Sequence, residues 1–219
     1  MLLRRYIVVK GMIALKKKIF FCSIPMLPPE ALRKIKYRKE TNGELYSDPS
    51  RFPSIVMIDG CFLGEEEVKI IAVKTDDDNG RTAANFKLFE KELKELAEKY
   101  EAPLKIDSVI ILPHDEGRDK QIALFKQLAK EFEDGCEIYM DVTYGTKITS
   151  IGMFASLVYA EKVKKCDIKQ IVYGKYPHDG GEIGDFFDVS SMYDLAMLIN
   201  SAEHLPQNNI DGLLKLFGG

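Results

Sequence analysis

The sequence predicts an α/β fold, a mostly parallel sheet with helices on both faces, and three observations carry that prediction. From Ile19 onward, short β-branched or aromatic runs alternate with longer segments of helical period, the pattern of strands joined by crossover helices. Most of the short runs are continuously apolar, as strands covered on both faces are. Apolar residues make up 46% of the 219, enough to fill a core of that kind.

Strands are read at 19–24 (IFFCSI), 54–58 (SIVMI), 69–74 (KIIAVK), 107–112 (DSVIIL), 136–142 (CEIYMDV), 168–174 (IKQIVYG) and 186–189 (FFDV). Three apolar stripes mark helices and are read as core. Phe86, Phe89, Leu93, Leu96 and Tyr100 form the first, and Ile122, Phe125, Leu128, Ala129 and Phe132 the second. The third runs through Ile148, Ile151, Ala155, Val158 and Tyr159, and its thin polar face predicts packing on two sides. A fourth helical pattern covers 191–204. Residues 25–53 break the rhythm with Pro25, Pro28, Pro29, Pro49 and Pro53 and the basic cluster Arg33, Lys34, Lys36, Arg38 and Lys39. They read as a long excursion with at most one short helix, serving either a ligand or only the solvent.

A net charge of −3 argues against a broad basic face that wraps duplex nucleic acid. The four cysteines, Cys22, Cys61, Cys136 and Cys166, include no C-x-x-C pair, which points to a reduced, cytoplasmic chain with packed thiols. No apolar run approaches the roughly 18 residues of a membrane span. The first 18 residues hold six cations and no acid, but Lys10 interrupts the apolar part of any signal peptide, and an extra strand or a start at Met12 is the plainer reading.

The strongest candidate site is the junction Asp141-Val142-Thr143-Tyr144-Gly145-Thr146-Lys147, where a buried strand runs straight into a helix. Unpaired backbone N–H groups and the positive end of a helix dipole meet there, at the carboxyl edge where open α/β sheets bind ligands. Gly145 admits a phosphate or a positive φ, Thr143 and Thr146 offer hydroxyls, Lys147 a cation, and Asp141 an orienting carboxylate. The plain alternative is a helix cap with Lys147 in water. Neither a Walker loop nor a G-x-G-x-x-G turn is present.

The run D-V-T-Y-G-T-K, the apolar helix after it, the strand IKQIVYG and the segment FFDVSS together resemble CARF domains, the CRISPR-associated Rossmann-fold sensor domains of type III accessory proteins. The resemblance implies a Rossmann-like domain over 17–192, preceded by an extension over 1–16. A C-terminal connecting helix over 193–219 would lead to an effector element beyond the chain or on a partner. It implies a homodimer binding cyclic tetra- or hexa-adenylate, with no cofactor and no metal. The ligand-binding residues would be Thr143, Tyr144, Gly145, Thr146 and Lys147, faced by Ser23, Ile24 and Pro25, with Tyr144 departing from the usual residue and able to stack on a base. Asn79, Arg81 and Asn85 would reach adenine or ribose. A stand-alone ring nuclease is the alternative, with Lys147 and Thr146 as its catalytic candidates; a generic nucleotide-binding protein is a further one.

Weaker candidates remain. The acidic loop Thr75–Arg81 fails EF-hand spacing, since Phe86 stands where the glutamate belongs. His114-Asp115-Glu116 reads as a helix cap before it reads as an acid–base pair. The loop Lys175–Glu182 serves equally as a ligand cover or a solvated turn.

Overall fold

The computed structural model describes residues 16–201 except 47, 65–66, 78, 114–116 and 178–179. The readings placed on 1–15, on Asp78, on His114-Asp115-Glu116, on His178 and Asp179, and beyond Ser201 lie outside the described residues.

Seven strands form one sheet in the order β2-β7-β6-β5-β1-β3-β4. They are β1 (Lys18–Ser23), β2 (Lys36–Lys39), β3 (Val68–Thr75), β4 (Ile106–Leu112), β5 (Glu137–Asp141), β6 (Asp167–Lys175) and β7 (Ile183–Asp188). The run from β6 to β4 is parallel throughout. β7 pairs antiparallel with β6, and β2 parallel with β7, so these two strands run against the rest. The sheet is α/β and Rossmann-like, with helices on both faces. α1 (Pro53–Cys61) and α2 (Arg81–Tyr100) cover one face, and α3 (Arg118–Glu131), α4 (Lys147–Lys162) and α5 (Ser190–Ser201) the other.

β1 shows why its sequence is apolar throughout. All six residues are buried, Phe20 and Cys22 toward α1 and α2, Ile19 and Phe21 toward α3, α4 and α5. Alternate side chains leave a strand on opposite faces, so a strand covered twice needs apolar residues at every position. In α2, Phe89, Leu93 and Leu96 are buried as the stripe predicts, with Phe86 and Tyr100 packed beside them. Asp77 starts that helix, its carboxylate accepting from the amides of Arg81 and Thr82, each at 3.1 Å.

Four expectations need correction. SIVMI at 54–58 is the body of α1, not a strand. Six consecutive residues, Pro53 to Ile58, are buried, so the helix has no polar side to reveal its period, and a short apolar run fits either structure. Its one signal is Pro53 at the first helical position. Conversely, the excursion 25–53 contains a strand, β2, whose sequence KYRK turns only Tyr37 fully inward, too little apolar pattern to show. In α3 the core takes Leu124, Leu128 and Phe132 while Ile122 and Phe125 stay exposed. In α4 it takes Met153, Leu157 and Ala160, with Thr149 and Ser156, while Ile151 (63% exposed), Ala155 and Val158 face outward. A helix apolar all round offers two stripes of equal period, and only the sheet decides which goes in.

Candidate functional site

β5 lies between β1 and β6, in the middle of the sheet, so its carboxyl end opens where the chain crosses into α4. Asp141, its last residue, is fully buried. One carboxylate oxygen accepts from the Thr143 amide at 2.9 Å, an Asx-type turn that swings the chain out of the strand. The Tyr144 amide donates to Ser23 Oγ of β1 at 3.0 Å, and the Gly174 amide of β6 donates to Thr143 Oγ1 at 2.8 Å. Ser150 Oγ reaches back from α4 to donate to the Val142 carbonyl at 3.1 Å. The loop is thus pinned to both neighbouring strands and to its own helix.

Tyr144 turns inward. Its ring packs against the core on the α1 and α2 face, and its hydroxyl donates to the Arg51 carbonyl at 3.0 Å, just ahead of α1. Arg51 is fixed in turn by buried Glu92, whose carboxylate accepts from Arg51 Nη1 at 2.7 Å and from Ser50 Oγ at 2.6 Å. A charge-assisted pair of this kind, with the remaining lone pairs satisfied, offsets the cost of burying the acid. Gly174 allows α1 this close, since a Cβ there would sit 2.2 Å from Pro53 Cγ. Sequence reasoning missed Arg51, Glu92 and Gly174, which act from outside the heptapeptide and carry no local motif.

The last three residues of the junction make the opening. Gly145 has φ +102, a conformation that L side chains rarely adopt, and a Cβ there would also press on Thr149 at 3.1 Å. Thr146 is the N-cap of α4, its Oγ1 accepting from the Thr149 amide at 3.2 Å. Among the described residues, the backbone N–H groups of Gly145, Thr146, Lys147 and Ile148 meet no acceptor. Lys147 is exposed and, among the described residues, forms no ion pair. Successive free amides at the start of a sixteen-residue helix, with a cation beside them, suit an anion.

The other predicted positions divide. Ser23, Ile24 and Pro25 are buried: Ser23 holds the loop, and Ile24 continues the backbone pairing by donating to the Val73 carbonyl at 2.9 Å. Asn85 is buried too and clamps the segment after β1, its Nδ2 donating to the carbonyls of Pro25 and Leu27 at 2.9 and 2.8 Å. Asn79 and Arg81 stand exposed at the start of α2, on the same edge as the loop but two strands away from β5. A shallow depression opens between the end of β4 and the starts of α3 and α4, with Lys120, Gln121, Thr146 and Ile148 on its walls. A larger cleft, about 720 Å³, lies at the opposite edge between Phe62, Val68, Leu104 and Asp107, far from the free amides.

Burial dominates the electrostatics beneath the loop. It pushes Asp141 up to about 6, against the contrary pull of Thr143, Ser54 and Ser23, and the second carboxylate oxygen has no partner among the described residues. Burial and the nearby Asp141 charge hold the Cys22 thiol well above its usual range. Burial raises the phenols of Tyr37 and Tyr144 as well, helped next by Tyr144 at Tyr37 and by Asp141 at Tyr144.

Among the described residues, no three His, Cys, Asp or Glu side chains converge as a metal site would require, and no helix is long and apolar enough to cross a membrane. Comparison with protein-family models returns no match, and comparison with curated proteins returns none either.

Proposed function

We propose that this chain is a cyclic oligoadenylate sensor that binds the phosphates of its ligand at the Asp141–Lys147 junction and acts as a homodimer. The observation that carries the reading is the run of four amides, Gly145 to Ile148, unbonded among the described residues, on a loop whose Thr143 and Tyr144 amides and Thr143 hydroxyl are already bonded. Bonds to β1, β6 and its own helix already hold the loop in place, and Lys147 adds a mobile cation. The resemblance of D-V-T-Y-G-T-K to the CARF signature supplies the class of anion.

The dimer rests on a second observation. Ile151, Ala155 and Val158 of α4 lie exposed beside Ile122 and Phe125 of α3, an apolar stripe of helical period that a second copy would cover. Since α4 begins at the loop, pairing along α4 brings two junctions to one axis, which suits a ring of repeating phosphates. Signalling then requires that the ligand bind one dimer arrangement better than another. The Thr146 hydroxyl, one of the two side chains a ring nuclease would use, accepts the capping bond from the Thr149 amide, which favours binding over cleavage.

The test is calorimetric titration with cyclic tetra-adenylate, cyclic hexa-adenylate, a linear oligoadenylate and AMP. Tight binding of a cyclic species is expected, weakened at least about tenfold in Lys147→Ala with an unchanged melting temperature. Binding of AMP alone would defeat the sensor reading, and chromatographic recovery of linear product after hours with excess protein would convert it into the ring nuclease.

A further inference from the structure

A second constellation lies at the opposite, amino-terminal edge of the sheet and is independent of the function proposed above. Cys136 immediately precedes β5 and Cys166 immediately precedes β6. Each follows a residue with positive φ, Gly135 at +71° and Lys165 at +57°, so two matching turns deliver the cysteines to adjacent strands. The Gly135 amide donates to the Lys164 carbonyl and the Asp167 amide to the Cys136 carbonyl, both at 2.8 Å, tying the backbones on either side of the pair. With Glu137 opposite Asp167 in register, Cys136 faces Cys166. Neighbouring strands run about 4.8 Å apart, inside the roughly 4.4–6.8 Å between Cα atoms that a disulfide spans. The two sulfurs are 3.3 Å apart, both are free thiols, and the residues are 3% and 4% exposed.

We infer that Cys136 and Cys166 are a modification site, joined as an intramolecular disulfide by hydrogen peroxide, an oxidant small enough to reach so buried a pair. One sulfur attacks a peroxide oxygen, the O–O bond breaks, and a sulfenic acid and one water result. The second sulfur displaces the sulfenic hydroxyl, which leaves with the remaining thiol proton as a second water. Two thiols and one peroxide thus give one disulfide and two waters. Burial, and the hydrogen bond to Cys136, push the Cys166 thiol up, so little thiolate forms and the reaction is slow, unlike that of an activated thiol. The bond closes a segment of 30 positions that contains β5, the Asp141–Lys147 loop and α4, and the closure raises the melting temperature by roughly 5–10 °C.

The experiment exposes the full chain to peroxide, quenches, denatures, alkylates the free thiols and digests with trypsin without reductant. The expected product joins the peptide 131–147 (EFEDGCEIYMDVTYGTK) to 166–169 (CDIK). It should be reversed by dithiothreitol, absent in Cys136→Ser and in Cys166→Ser, and retained in Cys61→Ser. Oxidation of half-buried Cys61 with Cys136 and Cys166 both still alkylated would overturn the inference. Refolding from urea in a glutathione redox buffer removes the question of access: the same linked peptides in a folded product support the site, and a folded product with Cys136 and Cys166 free overturns it.

Discussion

Asp141 makes the sharpest residue-level claim. Its folded value of about 6 exceeds the value of about 3.9 expected in the unfolded chain. Between the two, the folded state holds a proton that the unfolded state has lost. The contribution to stability is therefore fully present below about pH 3.9 and is lost as pH rises through about 6, a swing of about 3 kcal/mol. Asp141→Asn keeps an oxygen for the Thr143 amide and never ionises. Thermal melts from about pH 4 to about pH 7 should show a flatter dependence for the variant than for the wild type, and a higher melting temperature at the upper end. Parallel curves for the two proteins would mean that Asp141 titrates in the fold as it does in the unfolded chain, so that burial does not raise it. The cost has a counterpart in geometry, because the same carboxylate fixes the first turn of the loop.

At the scale of the element, α4 has two apolar sides and one sheet to pack on. Met153, Leu157 and Ala160 go into the core, leaving Ile151 and Val158 in water. Ile151→Lys is expected to shift a dimer to monomer by light scattering after gel filtration, while the monomer's own melting changes little, as exposed substitutions usually leave stability within about 0.5 kcal/mol. A mass unchanged by the substitution would remove α4 from the proposed dimer interface. The same two-sidedness explains why the sequence misreads which stripe is buried: Ile148, Ile151, Ala155 and Val158 satisfy a helical period as well as the residues that go inward. α3 repeats the case, with Phe125 left outside in an edge-to-face contact with Tyr159 of α4.

For the whole molecule, the sheet was legible in the sequence because its central strands are covered on both faces and show it residue by residue, as β1 and β3 do. α1 was not, because burial on every side erases the helical period, and β2 was not, because an edge strand of four residues with one inward side chain leaves almost no trace. The junction at Asp141–Lys147 was visible as a strand meeting a helix around a glycine. Most of what immobilises it was not, since Arg51, Glu92 and Gly174 come from distant parts of the chain and converge only in three dimensions, while Ser23 entered only through the family resemblance. That convergence carries a thermodynamic signature. A loop that folds around its ligand buries new apolar surface and gives a large negative heat capacity of binding, but this loop is already fastened to β1, β6 and the approach to α1. Calorimetric titrations at several temperatures should therefore give enthalpies that barely change with temperature, and a steep slope would mean that the junction orders itself only when the ligand arrives.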